Sequence, residues 1–244
     1  MQAISLEGSY NARGIGREAA PWIVRSAALD AATGRDERGL RAHGVGLVLD
    51  LREPAEHGAR SHGIPVRSLP LYGETPPAAG SLEAVYAGLV ADRGDRLAAA
   101  VIAIAEHPGT VLVHCTAGKD RTGLVVALAR LAAGDDRAAV VADYARSGDT
   151  VRPARATLVA ELLDRLGLVG AERGASERLH LDSPAAALGA TLERVDALGG
   201  IESYLLDRGA TPQHLAALAA RAARPSPGPA LPPPALAPAG EAGA

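Results

Sequence analysis

Phenylalanine is absent from this chain of 244 residues, tryptophan, cysteine and lysine occur once each, and tyrosine occurs five times. Each scarcity excludes something. One cysteine rules out an internal disulfide and any relay in which a second thiol resolves an intermediate. Without phenylalanine, the core has to be built from Ala, Val, Leu and Ile. Few aromatics, a net charge of −3 and no basic block leave neither a stacking platform nor an electrostatic footprint for nucleic acid. No run of 18 uninterrupted apolar residues occurs, so stable membrane insertion is not expected. The opening MQAISLEGSYNARG lacks the charged-then-apolar pattern of a signal peptide. The default expectation is therefore a cytoplasmic location, with export by a non-classical route left open. His43, His57 and His62 have no cysteine or carboxylate partners at zinc-site spacing, so neither a metal nor a cofactor is expected.

What is present is concentrated. The single cysteine, Cys115, and the single lysine, Lys119, lie four residues apart in the stretch HCTAGKDRTG, His114 to Gly123, in a chain whose other 24 Lys/Arg positions are all Arg. The apolar run Thr110–Val113 precedes this stretch and Leu124–Leu128 follows it. The pattern reads as strand, glycine-containing turn, then helix. A helix's first turn leaves N–H groups unpaired, so such a junction is an anion site, and a thiol in front of it is stabilised as thiolate.

Along the chain, residues 1–35 read as an irregular arm with a short strand at Trp22–Val24. A helix is expected over Asp36–His43, a buried strand over Gly46–Leu51 and an extended piece over Ile64–Leu69. Ser81 is a plausible N-cap for a helical stretch that ends near His107 and is split at Gly94. After the loop come a nearly all-apolar, hence buried, helix from Asp120 and an amphipathic one over Asp135–Arg146. Beyond Pro153 the pattern is helical only: Ala154–Leu166, Pro184–Leu198, Ile201–Asp207 and Thr211–Ala223. The expectation is an α/β fold with a central, mostly parallel sheet flanked by helices and a C-terminal helical region. Residues 1–223 would form one domain, followed by a Pro/Ala-rich, disordered tail over 224–244, where seven prolines fall in the last 20 residues.

Cys115 and Arg121 satisfy C-x5-R, a spacing that lets the backbone curl into a cup whose N–H groups converge on one tetrahedral anion. Gly118 permits a backbone conformation or close approach that a side chain would obstruct. Arg121 can present a planar, permanently charged fork to two phosphate oxygens. His114 would hold the loop's shape, and the Thr122 hydroxyl could assist the sulfur as it leaves.

The stretch HCTAGKDRTG is similar to the signature of cysteine-dependent protein tyrosine phosphatases. More narrowly, it resembles a bacterial and fungal group whose loop reads HCxxGKDRTG. Val24–Leu29 looks like that group's RSxxL segment, and Asp50-Leu51-Arg52-Glu53 with Glu56 like its DLRxxxE segment. Asp143-Tyr144 resembles its DY pair, and Gly200–Leu205 its G-[VI]-E-x-Y-L motif. The early N-x-R-D-x-G-G of the group reads Asn11-Ala12-Arg13-Gly14-Ile15-Gly16-Arg17 here, with Gly14 in place of the Asp. The resemblance implies a cysteine-phosphatase fold with a helical lid over about 153–198, and a metal-independent, two-step hydrolysis through a phosphocysteine. Cys115 would be the nucleophile and Arg121 the phosphate clamp. His114, Thr116, Ala117, Gly118, Lys119, Thr122 and Gly123 would shape the loop that takes inorganic phosphate or the substrate's phosphate. The Trp-Pro-Asp acid loop of most tyrosine phosphatases is missing, because Trp22 is followed by Ile23. In the resembling group the Asp within the loop supplies the proton, which maps to Asp120; Asp92 and Asp95 are rival acids. Lys119 resembles the lysine of phosphoinositide phosphatases, which meets additional phosphates. Implied substrates are phosphorylated proteins, at phosphotyrosine and also phosphoserine or phosphothreonine, and phosphoinositides.

Blander readings stand beside these. Asp50, Arg52 and Glu53 are expected to pair structurally beneath the loop, and Arg13 and Arg25 likewise. Gly118-Lys119 is not a nucleotide P-loop, since Val113 stands where Gly is required and Asp120 where Ser or Thr is. The competing functions are a sulfurtransferase or arsenate-reductase-like enzyme, which also holds a thiolate in an anion cup, and a non-catalytic phosphate-binding module.

Overall fold

The computed structural model describes residues 2–223, so the expected tail over 224–244 lies outside the described residues. Strand β1 is Gln2–Ala3, β2 Arg13–Gly16 and β3 Pro21–Ser26; helix α1, Gly34–Ala42, follows, then β4, Val45–Asp50, and β5, Val66–Ser68. Helices α2, Leu82–Asp92, and α3, Gly94–Glu106, lead to β6, Thr110–His114. The rest is helical: α4 Asp120–Ala132, α5 Arg137–Ala145, α6 Ser147–Arg165, α7 Gly170–Leu181, α8 Ala185–Ala197, α9 Gly200–Leu206 and α10 Pro212–Ala222.

The strands form one sheet in the order β1-β2-β3-β6-β4-β5. From β3 onward the pairings are parallel, whereas β1 and β2 add to one edge in antiparallel sense. Alternation along the central strands sorts their side chains between two faces. Val111 and Val113 of β6, Ile23 of β3 and Leu49 of β4 enter the larger core, beneath α3 and α4. Leu112, Val24 and Val48 enter a smaller core with Leu40 of α1. Helix α4 is buried on nearly all sides, as its apolar sequence requires.

Three expectations are corrected. The N-terminal arm is not irregular but supplies β1 and β2. Asn11, in the left-handed region at φ 57°, lets the chain turn ahead of β2, and pairing with β3, not the pattern Arg-Gly-Ile-Gly, makes the strand. Pro153 does not precede a helix; it lies inside α6, which begins at Ser147. Helix α7 was not expected, because Gly170, Gly174 and Ser176 weaken its apolar period. It forms against α6, where Leu181 joins Val159 and Leu163 in a small cluster of their own. Within the 153–198 stretch, α6 and α7 stand over the end of β6, whereas α8 packs Leu188, Leu192 and Val195 into the main core. No helix among the described residues is long and apolar enough to cross a membrane.

Candidate active site

The loop from Cys115 to Lys119 joins the C-terminal end of β6, in mid-sheet, to the N-terminus of α4. Its carbonyls are turned outward. Thr116 O accepts from Ala28 N (3.2 Å), Ala117 O from Asn11 Nδ2 (3.1 Å), and Gly118 O from both Asn11 Nδ2 (3.0 Å) and an Arg25 guanidinium nitrogen (2.9 Å). In a trans peptide the N–H points opposite to the C=O, so the N–H groups of residues 117, 118 and 119 are left facing the inside of the loop. Gly118 makes this curl feasible. It lies at φ +65°, and a Cβ there would stand 2.2 Å from Ser26 O.

A buried charge cluster holds this scaffold. Asp143 accepts from Arg13 (2.5 Å) and Arg25 (2.9 Å), and Ser147 Oγ accepts from Arg13 (3.0 Å). Burial and the neighbouring Arg25 charge push Arg13 down to about 10. Burial acts to raise Asp143, yet Arg25 and Arg13 hold it below the usual carboxylate range. Arg13 and Arg25 thus have the structural role expected of them, with Asp143 as their shared partner. Gly14 of the altered early motif sits in β2, where a Cβ would come within 3.0 Å of Pro21.

Under the loop, Asp50 pairs with Arg52 (2.8 Å), which also grips Asp30 (2.6 Å), and Glu53 Oε1 accepts from the Tyr72 and Gly73 amides (2.8 and 3.2 Å). The ion pairing expected of Asp50 and Arg52 is present, whereas Glu53 instead holds the Tyr72–Gly73 backbone through its amides. His114 is buried beside Asp50 (3.6 Å), with Nδ1 3.3 Å from the Cys115 carbonyl, and burial pushes it down to about 4. It is neutral at ordinary pH.

Cys115 is only 2% exposed and lines a cavity of about 250 Å³ together with Thr116, Ala117, Asp120 and Arg121. Tyr72, Pro76, Pro77, Leu162 and Leu179 give this cavity apolar walls, and Arg155 and His180 enter it from α6 and α7. Arg121 is clamped by Glu56 through two parallel bonds of 2.5 and 2.7 Å, reaches Thr116 Oγ1 (3.2 Å), and lies 4.9 Å from the Tyr72 ring centre. Burial opposes its charge, but Glu56 holds it above the ordinary arginine value. Glu56 is correspondingly below the usual carboxylate range despite half-burial, through Arg121 and Thr116. Asp120 Oδ1 accepts from the Tyr86 hydroxyl (2.7 Å) and from Lys119 Nζ (2.7 Å), and the Tyr86 hydroxyl also meets that of Tyr144 (2.7 Å).

The sequence-predicted residues separate here. Cys115, Thr116, Ala117, Asp120 and Arg121 share the cavity. Thr122 is fully buried at the start of α4, and its hydroxyl has no hydrogen-bond partner among the described residues. Gly123 packs against the Tyr144 ring, where a Cβ would stand at 2.8 Å. Lys119 is the correction. It is fully buried, and besides Asp120 its ammonium donates to Leu179 O (2.9 Å) and Asp182 O (2.7 Å) at the end of α7, so it does not face a second phosphate. Three acceptors and the negative end of a helix dipole draw it there. The rival acids do not line the Cys115 cavity: Asp92, at the end of α2, lines a neighbouring one that shares Tyr72 and Pro77 with it, and the Asp95 side chain is 68% exposed at the start of α3. Sequence reasoning gave no role to Glu56, Tyr86 or Arg155. Glu56 was visible only as one letter of a motif, 65 residues from Arg121.

The profile of the tyrosine phosphatase family matches residues 4–223. Among curated proteins, "Triple specificity protein phosphatase PtpB" of Mycobacterium tuberculosis is 60% identical over 48 residues, 20% of this chain and 17% of that one. "Tyrosine-protein phosphatase" of Nostoc commune is 31% identical over 142 residues, 51% of this chain and 48% of that one. The matches thus span less than half the length of these curated relatives. Among solved structures, that of a single-substitution variant of human DUSP28 is similar at 20% identity with a TM-score of 0.29, over 77% of this chain and 97% of that one.

Proposed function

Because this chain belongs to the tyrosine phosphatase family, we propose that it hydrolyses phosphate monoesters, phosphotyrosine foremost, through a phosphocysteine on Cys115. The observation that carries this reading is a covered thiol sharing one cavity with a guanidinium and a carboxylate, under a loop whose carbonyls face away. The Cys115 thiolate attacks phosphorus, the S–P bond forms, and the bond to the leaving oxygen breaks. Asp120, the carboxyl in the cavity, gives that oxygen its proton. Water then attacks phosphorus, Asp120 takes the water's proton, the S–P bond breaks, and the thiolate leaves into the field of the inward N–H groups. Inward N–H groups and Arg121 hold the non-bridging oxygens throughout.

Arg121 has five N–H donors. Glu56, Thr116 and the Leu51 carbonyl (3.4 Å) take its four terminal hydrogens, which leaves Nε–H for phosphate together with the NH2 hydrogen that Thr116 can release. Glu56 therefore fixes the plane of the fork and leaves one edge for substrate. The apolar walls suit an aryl ester, and the same loop extends the chemistry to phosphoserine and phosphothreonine. Phosphoinositide turnover has less support than the sequence suggested, since the cation expected to meet further phosphates is Lys119, which is turned into the protein.

The test is Cys115→Ser assayed on an aryl phosphate, with the fold checked by circular dichroism. Turnover should fall to background, and the wild-type reaction should be blocked by vanadate. Activity retained in a folded Cys115→Ser protein would remove the reading.

A further inference from the structure

Most cations near the loop are already committed. Lys119 is held by two backbone carbonyls and Asp120, Arg13 and Arg25 by Asp143, and Arg52 by Asp50 and Asp30. Arg155 is different. It projects from α6, is half-buried, and lines the cavity that contains Cys115 and Arg121. No carboxylate among the described residues pairs with it, whereas Arg152 on the same helix pairs with Glu177 (3.0 Å) and Asp182 (2.6 Å). Its neighbour is the Tyr10 hydroxyl, which burial pushes up while the Arg155 charge pulls it down. A guanidinium kept free of carboxylates beside a phosphate cup is a second anion-recognition point.

We propose that Arg155 recognises an acidic side chain next to the phosphorylated residue, so that the preferred substrates are phosphotyrosine peptides carrying Asp or Glu beside the phosphotyrosine. This inference rests on the phosphatase reading above and adds the substrate class. Two features favour a peptide over a multiply phosphorylated ring. With Lys119 turned away, Arg155 offers a single extra charge, which suits one carboxylate and not several phosphates. On the same face of α6, one turn on from Arg155, Leu158 is 59% exposed, and Leu162 one turn further lines the cavity. The strip reads charge, then apolar, as a peptide's successive side chains would meet it.

The test uses three phosphotyrosine peptides that differ only in Glu, Gln or Lys beside the phosphotyrosine, and a soluble inositol bisphosphate headgroup. They are assayed with the wild type, Arg155→Met and Arg155→Glu. In the wild type, kcat/KM for the Glu peptide should exceed that for the Gln peptide by on the order of tenfold, the scale of one partly desolvated charge pair. That ratio should fall to about one in Arg155→Met, and in Arg155→Glu the Lys peptide should become the preferred one. Reversal of preference is a result that mere displacement of α6 would not give. Equal wild-type rates on the three peptides, or a preference that survives Arg155→Met, would overturn the inference while leaving the phosphatase reading intact. A headgroup that outruns the Glu peptide and loses that lead in Arg155→Met would assign the point to a second phosphate and overturn the peptide proposal. No turnover of any substrate would instead remove the phosphatase reading.

Discussion

Asp120 takes two hydrogen bonds on one oxygen, from Tyr86 and Lys119, so a proton carried by its carboxyl belongs on the other oxygen, Oδ2. Replacing that group tests its role as acid more sharply than overall activity does. Asp120→Asn should slow esters of poor leaving groups by about 10²–10⁴-fold, and those of good leaving groups far less. The measurement is kcat/KM across a series of aryl phosphates of increasing phenol pKa; a parallel shift for every ester would move the acid elsewhere. Asp120 was legible as a candidate because it lies inside the local motif and opens a helix. Lys119 was legible as unusual, yet its direction was not. The carbonyls that capture it come from Leu179 and Asp182, some 60 residues along the chain, and nothing in HCTAGKDRTG announces them. Local sequence fixes a backbone; which way a long flexible side chain turns depends on distant acceptors.

Among the elements, that lysine joins the start of α4 to the end of α7. Lys119→Met should therefore act on α7 as much as on the loop. It strips the Leu179 and Asp182 carbonyls of a buried donor, which costs about 1–3 kcal/mol per unsatisfied group. The expected result is lowered stability in urea and faster amide exchange confined to α7 and the α7–α8 turn. Exchange that rises uniformly across the sheet would contradict a local tie. Most elements with strong periodicity or clear punctuation were readable: β4, β6, α4, the Ser81 cap of α2 and the break at Gly94 all fall where the pattern puts them. Two of the failures share a cause. Strand β2 has two glycines in four residues, and α7 has three small polar or flexible positions; each exists because a neighbour pairs with it. Their formation is tertiary, and single-chain propensity is silent about it.

For the whole molecule, the ionisable groups buried under the sheet's end set how stability depends on pH. His114 titrates near 4 in the folded protein, pushed down by burial, against about 6.5 in an unfolded chain. The unfolded state then binds more protons below pH ~6.5, so stability is full above that value and is lost as pH falls towards 4. The shift corresponds to about 3 kcal/mol at most. Burial lowers His62 and His107 as well, so they act in the same sense. Asp50, Glu56 and Asp143 are held below the usual carboxylate range, so their contribution is lost only at lower pH. Urea unfolding between pH 7.5 and 4.5 should show this decline, and His114→Asn should be less stable at pH 7.5 yet flatter across the range. An identical slope in the variant would show that His114 does not drive the decline.

The solitude of Cys115 has a consequence for observation. A chain with one thiol, 2% exposed under α6 and α7, should react with a thiol-selective alkylating agent at that sulfur alone, at a rate set by how often the cover is drawn back. The modification clock of the intact protein is then a clock for the cover itself. Its stoichiometry is one, no other thiol contributes background, and no label has to be introduced. Run with and without phosphate or vanadate, it would time how often the cup is open to the outside, a quantity that turnover alone does not separate from chemistry.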